Sequence, residues 1–204
     1  MVSFYLKVLD LIKKTEGLGT TISADYMQGL GIAYWNTLDY DRSIEVYKKA
    51  IGIYEKNAMQ SHPDYARCHM NLGLAYWNKL DYDMAIEAYK KAIGIYEKND
   101  MQTHPDYARC HMNLGIAYSD KLDYDMAIEA YKKAIGIYEK NDMQTHPEYA
   151  RCHVNLGLAY RDKGKRGEAI QALVRALSIF EQRVGKDHPD YKHCLKILND
   201  VRSG

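Results

Sequence analysis

Three adjacent pairs, Cys68-His69, Cys110-His111 and Cys152-His153, place a thiol beside an imidazole at a constant step of 42 residues, and Cys194 extends the thiol series. Thiolate and imidazole are common zinc ligands and common partners in nucleophilic catalysis. The spacing argues against both. Adjacent residues on a helix point about 100° apart, and stacked repeats sit about 10 Å apart, so neither arrangement gathers four ligands around one ion. Nor can such cysteines bridge, because a disulfide needs α-carbons within about 7 Å. The expectation is small buried thiols in a reducing compartment, the cytoplasm, with no metal. No nucleophile, base and orienting group recur together and no Gly-rich phosphate loop occurs, so neither catalysis nor a cofactor is expected. His62, His104, His146 and His188 each precede Pro and read as turn residues at helix starts.

A second constellation suits binding. Arg67, Arg109 and Arg151 form one ladder and Asn71, Asn113 and Asn155 another. Guanidinium groups pair bidentately with carboxylates, and amides can pair with the backbone of an extended peptide. In one copy, Arg67, Met70, Asn71, Leu74, Trp77 and Asn78 are spaced three, four and seven apart, so they share one helix face.

These residues are positioned by a repeat. Tyr65 to Asp106 matches Tyr107 to Glu148 at all but four positions, and three of those four differences, Leu74/Ile116, Trp77/Ser119 and Asn78/Asp120, fall on that stripe. A buried seam is constrained to stay alike, whereas a ligand-facing or exposed face is free to vary. Within a copy, Tyr65, Cys68, His69, Leu72, Gly73 and Tyr76 follow the helical period, and Ala85, Ile86, Tyr89, Ala92, Ile93 and Tyr96 follow it again, so each repeat is two helices. The first helix should begin at Thr103-His104-Pro105-Asp106 or its equivalents, with Thr as the cap, and should stop near Lys79. The second should be capped by Asp81 or Asp83 and run to about Asn99. Short connections make the two antiparallel. Gly73 should admit a close helix neighbour, and Gly94, costly inside a helix, is expected to make another tight contact.

The expected organisation is one array over 1–204: a leading helix at 1–16 resembling a second helix, helix pairs at 23–62, 63–104, 105–146 and 147–188, and a trailing helix at 189–202. That makes ten helices. Gly17 to Ser23 reads as an irregular connection. The 204 residues carry 28 Lys plus Arg against 27 Asp plus Glu, so no global field favours nucleic acid or an acidic membrane. No apolar run is long enough to span a bilayer, and the first residues lack a small-residue cleavage site.

Leu72-Gly73 and Tyr76, followed by Ala85, Tyr89 and Ala92, resemble the tetratricopeptide repeat (TPR), and so do Leu30, Gly31, Tyr34, Tyr47 and Ala50 in the first copy. The longer period and the His-Pro-Asp entry resemble the repeats of kinesin light chain. The resemblance implies an all-α, right-handed superhelical solenoid whose first helices line a concave side. It also implies that the Asn ladder holds a peptide. This sequence departs from the family at His69, His111 and His153, where an aromatic is usual, at Ser43, and at Leu38, Leu80 and Leu122, where a turn glycine is usual. The family's clamp for a carboxy-terminal carboxylate is a poor match, with Ile32, Leu74, Ile116 and Leu158 where it needs Asn and Gln28, Met70, Met112 and Val154 where it needs Lys.

The expected function is a noncatalytic scaffold for an extended, acidic peptide with an aromatic or aliphatic anchor. The groove would comprise Trp35, Asn36, Arg67, Met70, Asn71, Leu74, Trp77 and Asn78, continued by Arg109, Met112, Asn113, Ile116, Ser119, Arg151, Asn155, Leu158 and Arg161. The alternative is a structural module that associates end to end, the leading helix of one copy completing the trailing helix of another. A piece of a longer array, or a sequence chosen to study repeat folding, would share these features.

Overall fold

The computed structural model describes residues 1–15 and 17–203. Among them are ten α-helices and no strand: α1 (Val2–Thr15), α2 (Thr21–Asn36), α3 (Tyr40–Lys56), α4 (Pro63–Asn78), α5 (Tyr82–Lys98), α6 (Pro105–Asp120), α7 (Tyr124–Lys140), α8 (Pro147–Asp162), α9 (Arg166–Val184) and α10 (Pro189–Ser203). Residue 16, the expected end of the leading helix, lies outside the described residues. The irregular stretch before α2 is shorter than expected, because Thr20 caps that helix by accepting from the Ser23 amide at 3.3 Å. Among the described residues, no helix is long and apolar enough to cross a membrane.

The chain divides into two compact units, Met1–Met101 and Gln102–Gly204. In the first, α2 pairs with α3 and α4 with α5, while α1 lies against α2 and α3 against α4. In the second, α6 pairs with α7 and α8 with α9, while α7 packs on α8 and α10 on α9. First helices of consecutive pairs also touch directly, α2 with α4 and α6 with α8, which makes them the inner side of each unit.

The caps explain the boundaries. At α4, α6 and α8 the N-cap is His62, His104 and His146, and each imidazole Nδ1 accepts from the backbone amide two residues on. The expected Thr103 cap is therefore one residue early. Pro105 takes the first helical position, so the capping geometry falls on His104. Asp39, Asp81 and Asp123 cap the second helices. Before each of them the turn residue, Leu38, Leu80 or Leu122, stands at φ 62–63°, a left-handed conformation that costs an L residue about 1–2 kcal/mol. Gly164 takes the same place at φ 78° without that cost.

Packing within each pair depends on a missing side chain. A Cβ on Gly73 would lie 2.7 Å from the Tyr89 ring, and one on Gly115 would lie 2.6 Å from Tyr131. In the first copy Ser43 replaces the usual Ala and donates to the Gly31 carbonyl at 2.9 Å, so its hydroxyl is satisfied in the core. Gly94 does not follow this pattern. Nothing lies within 4 Å of where its Cβ would be, and the expected tight contact is absent because the residue faces out from α5. All four cysteines are fully buried and unbridged, and burial raises each thiol's pKa, so they are inert apolar filling.

Candidate functional site

The inner face of the second unit holds an open cavity of about 330 Å3. Its apolar wall is Met112 and Ile116 from α6, Val154 and Leu158 from α8, and Phe180 from α9. Asn155 and Arg151 stand on the same face of α8, with Glu148 at its start, and α10 contributes Asp190 and His193. Five of the expected groove residues, Met112, Ile116, Arg151, Asn155 and Leu158, are thus brought together. Glu148, Val154, Phe180, Asp190 and His193 were not anticipated. Val154 was legible, being one residue before Asn155 on the same stripe. Phe180 was not, because it arrives from a second helix.

The remaining expected residues of that unit are placed differently. Asn113 is half-buried on α6, Ser119 Oγ lies 3.4 Å from the Tyr131 hydroxyl, and Arg161 Nε donates to Asp162 at 2.7 Å. Met112 is mostly core at 7% exposure, though its edge reaches the cavity.

The inner face of the first unit carries a chain of polar contacts. Tyr54 Oη donates to Asp25 at 2.7 Å and accepts from Gln28 Nε2 at 3.0 Å, and Arg67 Nε reaches Gln28 Oε1 at 3.5 Å. Burial and the Asp25 carboxylate raise the Tyr54 pKa, so the phenol stays a donor. Asn71 and Leu74 are half-buried, and Asn78 turns its amide back onto the Leu74 carbonyl at 2.8 Å. Met70 is core at 3% exposure. Trp77 is half-buried. Trp35 is half-buried with its indole N–H enclosed, and Asn36 is exposed.

The Arg ladder is occupied from within. Arg67 pairs with Asp64 and Arg109 with Asp106, each at 2.5 Å, and Arg151 with Glu148 at 3.0 Å. The partner sits three residues earlier in each case, a spacing visible in sequence and overlooked when the ladder is read for ligands. Pairs at this spacing on a helix contribute about 0.2–0.5 kcal/mol, and with the Arg151 side chain 55% exposed a ligand carboxylate can compete for its guanidinium.

His69, His111 and His153 lie away from the inner face, buried edge-on to Tyr65, Tyr107 and Tyr149 at 4.9–5.0 Å. Burial pushes each imidazole down to about 4, helped by Lys91, Lys133 and Arg175 respectively. They do not converge with the cysteines, and no group of metal-binding side chains is found among the described residues.

None of the curated proteins matches the sequence. Solved structures do match in fold. A Podosopora anserina protein assigned as a kinesin light chain, with nearly identical TPR-like repeats, superposes at a TM-score of 0.78 and 20% identity, covering 90% of this chain and 87% of its own. BtubC (BKLC) from P. vanneervenii gives 0.84 at 19% identity over 99% and 80%, and MamA gives 0.65 at 26% over 89% and 87%. The fold class is therefore all-α and TPR-like, similar to repeats of the kinesin light chain type. Family profiles described as Tetratricopeptide repeat match residues 26–98, 64–140 and 150–190. The chain belongs to the tetratricopeptide repeat family, a family of protein-interaction scaffolds that are generally noncatalytic.

Proposed function

We propose that the chain is a noncatalytic scaffold that holds an extended peptide on the inner face of its second unit. The observation that carries this reading is the cavity between α6, α8 and α10, where an apolar wall surrounds one amide, Asn155, and one displaceable guanidinium, Arg151. A peptide would place an aliphatic or aromatic anchor between Ile116, Leu158 and Phe180 and bond its backbone to Asn155. An acidic residue beside the anchor would draw Arg151 from Glu148. The preference for acid is then modest, since Glu148 and Asp190 line the same cavity. Selection from a random linear peptide library against the folded chain should enrich an apolar anchor flanked by Asp or Glu. The selected peptides should bind Asn155→Ala about tenfold more weakly, on the order of 1.4 kcal/mol. Equal affinity for parent and variant would remove the site.

A second reading, end-to-end self-association, is supported by α1, whose Phe4 and Leu11 share a stripe and are 59% and 61% exposed. Completion of a repeat on α10 is less favourable. Asn199 occupies the register place at which Gly157 admits Leu173, so the close approach is blocked. Sedimentation equilibrium of Phe4→Glu plus Leu11→Glu tests this reading; a parent that stays monomeric at high concentration ends it.

A further inference from the structure

The outer side of the first unit carries a groove that the inner-face reading leaves unused. It runs between the second helices α3 and α5, with α4 as its floor, and widens into cavities of about 210 and 400 Å3. The first is lined by Lys48, Ile51, Leu72 and Tyr76, the second by Tyr65, Gly94, Ile95 and Lys98. Glu55, His69 and Lys91 belong to both, so the two are one continuous groove with His69 at its middle.

Two features mark this groove. His69 is only 6% exposed, and its Nδ1 is enclosed without a hydrogen-bond partner. An enclosed ring nitrogen with no acceptor is best left unprotonated, which puts the proton on Nε2. Gly94 is the second. A glycine inside a helix costs about 1 kcal/mol relative to alanine, and the open space around Gly94 offers no packing in return. Gly52 and Gly136, the equivalent residues in α3 and α7, are equally open. A bare stretch of helix wall is what the close approach of another backbone requires.

Charge indicates which backbone. Lys48, Lys91 and Lys98 line the groove against Glu55 and Glu87. Glu87 already bonds Lys91 at 2.9 Å, and Glu55 accepts from the Tyr65 hydroxyl at 3.0 Å. One repeat earlier the same groove has Met27 where His69 stands, so it offers no imidazole beside Lys13, Arg42 and Lys49.

We propose that the outer groove of the first unit binds an extended peptide bearing an acidic side chain, with the peptide backbone crossing Gly94 and the carboxylate meeting His69 and Lys91. The site is separate from the inner cavity and shares no residue with it. Nuclear magnetic resonance titration of the full chain tests it with an acetylated, amidated peptide of alternating Ala and Glu, against an Ala and Gln counterpart. The expected result is saturable shifts at the Gly94 amide and the His69 ring with the acidic peptide, at least tenfold weaker with the neutral one. Gly94→Leu, which removes a helix-interior glycine into open space, should melt at or above the parent temperature yet bind at least tenfold more weakly. His69→Phe, which keeps the ring, should also bind more weakly. Asn155→Ala should leave this titration unchanged whether or not the inner cavity binds peptide. Unchanged affinity in a folded Gly94→Leu, equal response to both peptides, or shifts confined to residues around Asn155 would overturn the proposal.

Discussion

The inner faces of the two units use one repeat to opposite ends. In the first unit Asp25, Gln28, Tyr54, Asp64 and Arg67 bond one another along the surface. Three repeats later the same register places hold Arg151, Val154, Phe180, Asp190 and His193, which line an open cavity. Val154 cannot reach a phenol, and Phe180 has no hydroxyl to offer. Tyr138, one copy before Phe180, keeps the hydroxyl but has lost its partners, and its Oη is buried with none. Four of these five places differ, two of them by apolar replacement, so one helix register carries a polar seam in one unit and an apolar-walled cavity in the other, which is how repeats separate fold from specificity.

The largest test removes the apolar wall. Phe180 is 7% exposed, so Phe180→Ala should lower the unfolding free energy by about 3–5 kcal/mol in urea denaturation and abolish peptide capture. A far smaller loss would mean that α9 relaxes into the cavity.

Acid should separate the units next. His69 in the first unit, and His111 and His153 in the second, have folded pKa values lowered to about 4 by burial. Between roughly pH 6.5 and 4 the unfolded chain therefore binds more protons. Stability is complete above that window and falls as pH drops through it, by up to about 1.4 kcal/mol per pH unit for each histidine. Hydrogen exchange near pH 5 should show α6 to α9 loosening before α2 to α5; equal loosening would sink this part of the contrast.

The two phenols make a finer test. Tyr54→Phe strips partners from Asp25 and Gln28 and should cost about 1–2 kcal/mol, whereas Tyr138→Phe deletes an orphan hydroxyl and should be neutral or slightly stabilising. Paired chemical melts decide it, and equal losses would show that Tyr138 has a partner in solution. The smallest effect belongs to the turns. Leu80→Gly relieves a left-handed leucine at φ 63°, and the gain, offset by backbone entropy, should be about 0.5 kcal/mol. Gly164→Leu in the second unit should reverse the sign.

Much of this molecule can be read directly from residue order. The 42-residue period, the paired helices, the Asp81 cap and the Gly73 contact follow from local rules, since helical periodicity and capping act over a few neighbouring residues. The Thr103 cap fails within the same rules, because Pro105 shifts the start by one place and an imidazole can do the work of a hydroxyl. Gly94 fails for a different reason. Whether a helix glycine faces a neighbour or open space depends on the angle between helices, which no single helix encodes.

The site divides along the same line. Residue order alone determines which side chains share a first-helix face, so Arg151, Asn155 and Leu158 can be grouped without coordinates. Only the tertiary structure decides that Phe180 and His193 complete a cavity with them, that Met70 is core, and that each ladder arginine already holds a carboxylate. Periodicity along one helix is a one-dimensional property, whereas a groove is formed by three helices, and their separation is set by packing among residues distant in the chain.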